Sequence, residues 1–189
     1  MNFINKYNHK KNIRFPFFKK TIEKLIERNL KIIVETGTSR GKKKFFFFNK
    51  MNWKDGMSTL MFSELATIIN GELHTCDISK NNINSAKKFT KKFKDNTYFY
   101  VNDSINFFNN FQKEIDFLYL DSFDGHDVEL ASKHQLNEAK AAIDKLGPDS
   151  LVMLDDKGAK TLYSLNFFLK NGFKIIDESN NQLLLSRNN

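Results

Sequence analysis

The chain has one cysteine, two prolines and eight glycines in 189 residues. A single thiol, Cys76, excludes an internal disulfide framework and fits a reducing, cytoplasmic compartment. No apolar run approaches the ~20 residues that a membrane-spanning helix needs. Residues 1–15 have neither the continuous apolar centre nor the small-residue cleavage site of a signal peptide. No Pro/Gly-rich linker and no internal repeat divides the sequence, so the whole of it, 1–189, reads as one domain with a core large enough to fold alone.

Acidic residues are scarce in the first third. Residues 1–60 carry 15 Lys/Arg against 4 Asp/Glu, whereas residues 61–189 carry 15 against 18. Such a basic front attracts nucleic acid, an anionic substrate or a membrane surface. It also follows from a composition dominated by Lys, Asn, Ile and Phe, whose lysines are scattered over several elements as solvated faces.

Apolar periodicity alternates between two forms. Residues 18–30 place Ile22, Leu25 and Ile26 on one helical stripe. Short β-branched or aromatic runs at 31–36, 72–77, 97–103, 115–121 and 150–156 read as strands. Helical segments separate them at 58–70 (Ser58 as N-cap, Gly71 as stop), 79–93, 104–112, 128–146 (stopped by Gly147-Pro148) and 159–172. The runs at 173–179 and 182–187 flank Asn180-Asn181 and predict a closing hairpin. Alternation of strand and helix predicts a Rossmann-like α/β sandwich. Its seven-stranded sheet is mostly parallel, with an antiparallel edge strand from the hairpin. Only residues 1–15 read as a flexible basic arm.

Ligands of such sheets bind at the carboxyl ends of the strands. Those ends carry Glu35-Thr36-Gly37-Thr38-Ser39-Arg40-Gly41, Asp77, Asp103-Ser104, Asp121 and Asp155-Asp156. Gly37 and Gly41 permit a tight turn and close backbone approach to a ligand. The loop lacks the Gly-Lys-Ser/Thr ending of a phosphate-binding loop and the Gly-x-Gly-x-x-Gly dinucleotide fingerprint. Asp77 is placed to take ribose hydroxyls, and Asp103-Ser104 to read an adenine edge. Helix capping is the competing use of each aspartate.

The stretches "VETGTSRG", "DGMSTLMF", "GELHTCDIS", "VNDS" and "FLYLDSFD", with the terminal hairpin, resemble the class I S-adenosylmethionine-dependent methyltransferases over residues 30–189. The resemblance implies S-adenosylmethionine as cofactor. It places Glu35 and Gly37 at the methionine moiety, Asp77 at the ribose, Ile78 on the adenine face, and Asp103 and Ser104 at the adenine. Thr38, Gly41, Ser58 and Asp121 complete the implied cofactor set. The carboxylates Asp121, Asp155 and Asp156 look like the Mg²⁺ or other divalent-cation site of the catechol-type O-methyltransferases. The lysine base usual three residues after the first aspartate is replaced by Asp124, leaving Asp121, His126 and Lys157 as the catalytic candidates. His134, within a helix, reads as structural. The implied activity is methyl transfer to a hydroxyl of a small-molecule or sugar acceptor, an anionic one included. A non-catalytic scaffold or nucleic-acid-binding module on the same fold is the alternative. The Asn/Asp-Pro-Pro-Tyr/Phe motif of DNA amino-methylating enzymes is absent, which argues against DNA as partner.

Residues 42–54, between the glycine loop and the next helix, read as an insertion at the cofactor rim. Phe45 to Phe48 and Trp53 are expected to form an aromatic lid or a homodimer contact, and Lys42 to Lys44 to attract an anionic acceptor.

Overall fold

The computed structural model describes residues 3–45 and 48–187, with the backbone alone for 42–45, 48–50 and 55. Nine strands and six α-helices are described: α1 Phe15–Glu27, β1 Ile32–Thr36, β2 Lys42–Phe45, β3 Phe48–Met51, α2 Ser58–Ile68, β4 Glu72–Asp77, α3 Lys80–Phe89, β5 Thr97–Val101, α4 Ser104–Asn110, β6 Ile115–Leu120, α5 Val128–Ala142, β7 Leu146–Leu154, α6 Ser164–Lys170, β8 Lys174–Glu178 and β9 Leu183–Ser186. Seven strands form one sheet in the order β5-β4-β1-β6-β7-β9-β8, and β2 and β3 form a separate hairpin.

Strands β5, β4, β1, β6 and β7 run parallel. Strand β9 is antiparallel to both β7 and β8. The antiparallel strand is therefore inserted between β7 and β8, and the edge strand β8 keeps the direction of the parallel set. This corrects the expectation of an antiparallel edge. A tight β8–β9 connection reverses the chain, and β9 rather than β8 takes the free hydrogen-bonding edge of β7.

The period-2 pattern of the strands builds two cores. Ile33, Leu73, Phe117, Tyr119, Leu151 and Met153 face α1 and α2, where Phe18, Ile22, Leu25, Phe62 and Leu65 cover them. The alternate residues Val34, Leu118, Leu120, Val152 and Leu154 face α4, α5 and α6, meeting Phe107, Phe108, Ala139 and Phe168. Burial on both faces is why these strands are almost wholly apolar.

Two boundaries differ from expectation. Gly147 and Pro148, expected to end a helix, lie within β7, where the register against β6 shifts between Ile115 and Phe117. The shift lets Pro148 avoid a ladder hydrogen bond that it cannot donate. Helix α1 begins earlier, at Phe15, with Pro16 in its first turn, where a missing N–H costs nothing.

The arm is not loose where it is described. Ile4 and Tyr7 are buried in the α1/α2 core. The Tyr7 hydroxyl donates to Glu64, Asn12 Nδ2 donates to the Gly56 carbonyl at 3.1 Å, and His9 stacks on Trp53 with ring centroids 5.1 Å apart. Burial of two large apolar side chains outweighs the entropy of a short arm.

Candidate active site at the carboxyl ends of the strands

A cavity of about 540 Å³ opens beyond the carboxyl ends of the parallel strands. Its floor is the loop after β1. Gly37 has φ +83°, and a Cβ there would lie 2.2 Å from the Asp121 carbonyl oxygen, so the loop can cross the end of β6 this closely only with glycine. The loop is tied from beneath. Thr38 N donates to Asp77 Oδ2 at 3.2 Å, and the Thr38 and Thr75 hydroxyls are 2.7 Å apart. Ser39 N donates to the Thr59 hydroxyl at 2.8 Å.

Glu35 is the centre of this underside. Ser58, Thr59 and Thr75 hydroxyls donate to its carboxylate at 2.5, 2.7 and 2.7 Å. Burial pushes its pKa up to about 7, against the opposing pull of those three hydrogen bonds. It is fully enclosed and does not line the cavity.

Along the cavity wall, β4 delivers Asp77 and Ile78, and β5 leads to Asp103 and Ser104. Asp77 Oδ1 accepts from Ser79 N at 2.7 Å, and Oδ2 also accepts from Asn82 Nδ2 at 3.0 Å. Ile78 is 77% exposed, an apolar side chain standing free on the wall of a polar cavity. Asp103 Oδ1 caps α4 through Ile105 N and Asn106 N. The Ser104 hydroxyl is 3.2 Å from His134 Nε2. His134 is held toward its protonated form by the hydrogen bond to Glu138, with burial opposing.

The opposite side is ionic. Asp121, Asp155 and Asp156 bring carboxylate oxygens within 4.8 Å of one another. Lys160 Nζ lies 2.9 Å from both Asp121 Oδ1 and Asp156 Oδ2. Arg14, at the start of α1, donates from Nε to Asp155 Oδ1 at 3.1 Å and from Nη2 to Asp156 Oδ1 at 2.9 Å. Burial works against the Lys160 charge, but Asp121 and Asp156 outweigh it and hold its pKa above the usual lysine value. Burial, reinforced by the Asp121 charge, raises the Asp155 pKa well above the carboxylate range. Two backbone outliers flank this side: Phe123 with φ 59° and Asp156 with φ 52°. A bulky residue in that region is strained.

A sequence profile described as a methyltransferase domain matches residues 34–157. The chain belongs to that family. No curated protein matches it. Among solved structures, a methyltransferase from Geobacter sulfurreducens superposes with TM-score 0.59 at 16% identity, over 90% of this chain and 77% of that one. The S-adenosylhomocysteine-bound methyltransferase PaMTH1 of Podospora anserina gives 0.64 at 13%, over 98% and 88%. The N-methyltransferase NodS of Bradyrhizobium japonicum gives 0.53 at 12%, over 90% and 94%. At these identities the likeness establishes the fold.

In this methyltransferase domain Gly37, Thr38, Asp77, Ile78, Asp103, Ser104 and Asp121, all expected at the cofactor, line the cavity together. Glu35, Gly41 and Ser58 do not. Gly41 (φ +73°) serves packing, since a Cβ there would meet the Phe89 ring at 1.9 Å. Ser58 is the first residue of α2 rather than its cap, which is Met57, and its hydroxyl is spent on Glu35. His126 is exposed and outside the cavity. Lys157 pairs outward with Glu178 at 2.8 Å. His134 lines the cavity instead of serving only its helix. Sequence reading missed Arg14 and Lys160. Lys160 was findable from its i,i+4 spacing to Asp156; Arg14, 141 residues from Asp155, carried no signal.

The donor set does not fit a resident divalent cation. Three converging carboxylates are what such an ion takes, but the Lys160 ammonium and the Arg14 guanidinium already pair with all three and offset two of their charges. The predicted insertion is a hairpin, β2 with β3, whose base closes through Asn52 N and the Gly41 carbonyl at 2.9 Å. The Lys42–Lys44 and Phe45–Phe48 side chains lie outside the described residues. Trp53 packs on His9 and the α1/α2 core instead of forming a lid, and among the described residues of this region Lys54 lines the cavity. Among the described residues, no helix is long and apolar enough to cross a membrane.

Proposed function

We propose that the chain transfers a methyl group from S-adenosylmethionine to an oxygen of a small, anionic acceptor, a phenol- or sugar-like hydroxyl compound. The observation that carries the reading is the cavity itself. Asp77-Ile78 and Asp103-Ser104, at the ends of neighbouring strands, line one wall beside the Gly37 turn, in a chain of the methyltransferase domain family. S-adenosylmethionine, when bound, supplies an electrophilic methyl on its sulfonium.

The residues divide the labour by chemistry. Asp77 offers carboxylate oxygens to ribose hydroxyls. Ile78 gives an apolar face for the adenine, with Asp103 and Ser104 at its polar edge. The Gly37-Thr38 backbone lies at the methionine end. Glu35 holds that backbone from below instead of touching the cofactor. On the acceptor side Arg14, Arg40, Lys54 and Lys160 line the cavity. Arg40 reaches Asp124 across the rim at 2.5 Å. On that side four cations stand against the three carboxylates that line it, Asp121, Asp124 and Asp156, a balance that favours an acceptor bringing its own negative charge. Such an acceptor needs positioning more than a strong base, because in-line alignment supplies much of the rate.

The test is methyl transfer from S-adenosylmethionine labelled in its methyl group, run on pools of phenolic, carboxylated and sugar acceptors. The reading expects label in an anionic pool with wild-type protein and a loss of about tenfold or more with Asp77→Ala. Label in no pool, under conditions where the protein is folded, would falsify it.

A further inference from the structure

We infer that the Lys160 ammonium is the resident cation of the Asp121–Asp155–Asp156 cluster, standing where related carboxylate sites hold a divalent metal, so that this site works without one. The inference rests on the methyltransferase reading and deepens it by naming what meets the acceptor.

Geometry carries the argument. The three carboxylates converge as metal ligands do, within 4.8 Å. The position that would coordinate Asp121 and Asp156 together is taken by Lys160 Nζ, 2.9 Å from each. Its side chain is only 3% exposed. Its stem is anchored in a turn where Lys160 N donates to the Asp156 carbonyl at 3.0 Å. The lysine is therefore built into the cluster and is not a surface side chain folded over it. Arg14 clamps the remaining carboxylate, Asp155, and also Asp156. A divalent ion entering here would place two charges against a fixed ammonium and a fixed guanidinium, where the three carboxylates carry at most one negative charge beyond those two cations.

The substitution changes what the site offers. An ammonium has three hydrogens; two are engaged by Asp121 and Asp156. Lys160 lines the cavity, so the third can bind an acceptor oxygen. A metal would bind such an oxygen as a Lewis acid and keep other ligands exchangeable. A lysine gives one directed hydrogen bond and one positive charge, which suits an ionised oxygen. Charged as it is, Lys160 anchors the acceptor and does not take its proton.

The experiment is a Mn²⁺ titration of purified, metal-stripped protein followed by electron paramagnetic resonance, with wild type and Lys160→Gln. The free-ion signal of wild type is expected to stay undiminished at ~0.1 mM Mn²⁺, whereas Lys160→Gln, which frees the carboxylates, takes up one equivalent with about tenfold or greater gain in affinity. Uptake of one equivalent by wild type, lost in Asp156→Asn, overturns the inference. So does a folded Lys160→Gln that gains no Mn²⁺ affinity. If Lys160→Gln does not fold, the wild-type arm decides alone. S-adenosylhomocysteine titrated into the same wild-type sample separates the two claims: its failure to bind defeats the methyltransferase reading, while the Mn²⁺ arms still judge the lysine.

Discussion

A methyl group placed on Gly37 would lie 2.2 Å from the carbonyl oxygen of Asp121. The two residues directly follow the neighbouring strands β1 and β6, and Asp121 N donates to the Thr36 carbonyl at 3.0 Å. The cofactor loop and the first carboxylate of the ionic cluster are thus positioned by one backbone contact.

Gly37→Ala has both a clash with backbone and a left-handed φ to overcome. The loop must move, so S-adenosylhomocysteine affinity is expected to fall at least about tenfold, with a stability loss of about 1–3 kcal/mol from strain alone. Gly41→Ala carries similar strain against Phe89 but outside the cavity. It is expected to lower the melting temperature while leaving affinity within about threefold, about 0.7 kcal/mol. Melting curves paired with calorimetry on both variants check the contrast.

Arg14→Met removes the guanidinium from Asp155 and Asp156 and keeps much of the apolar stem. Asp155 is fully buried, and leaving a buried group without its charged hydrogen-bond partner costs about 1–3 kcal/mol. Chemical denaturation of the variant is expected to show a loss of that order. A loss under about 0.5 kcal/mol, the size of an exposed pair, would mean that Arg14 is not coupled to the cluster.

Glu35 makes stability pH-dependent with a defined sign. Its folded pKa, about 7, is above the ordinary glutamate value of 4.5, so the folded state binds its proton more tightly. The contribution is fully present below pH 4.5 and is lost as pH rises through 7, at up to about 1.4 kcal/mol per pH unit. The difference in unfolding free energy between wild type and Glu35→Gln is expected to change steadily from pH 5 to about pH 7 as wild type loses stability, and to level off above that. A difference that is flat across that range would show that Glu35 ionises normally.

The strands and their ends were legible because each strand is a short apolar run closed by a carboxylate, and that pattern alone placed Asp77, Asp103 and Asp121 on one rim. What was hidden depends on side chains meeting across the fold. Glu35 reads as cofactor-facing until the hydroxyls of Ser58, Thr59 and Thr75 turn it inward. The arm reads as loose because Ile4 and Tyr7 are too few for periodicity, yet they fill the α1/α2 core. The three aspartates read as a metal site because their neutralising partners are a lysine four residues on and an arginine at the far end of the chain.

Asp77 accepts from Thr38 N, Ser79 N and Asn82 Nδ2, which fixes its carboxylate at the cavity wall before any ligand arrives. Asp77→Ala is expected to weaken S-adenosylhomocysteine binding by about 1.5–3 kcal/mol, the worth of a hydrogen bond to a charged group. Asp103→Asn, whose Oδ1 already caps α4, is expected to cost less. Equal losses in the two would contradict the assignment of Asp77 to the ribose.

The most direct measurement is calorimetric titration of the wild-type protein with S-adenosylhomocysteine. The account predicts one saturable site per chain, abolished or weakened at least about tenfold by Asp77→Ala, 1.4 kcal/mol or more. Absence of binding by folded wild-type protein, or binding indifferent to Asp77, would contradict it.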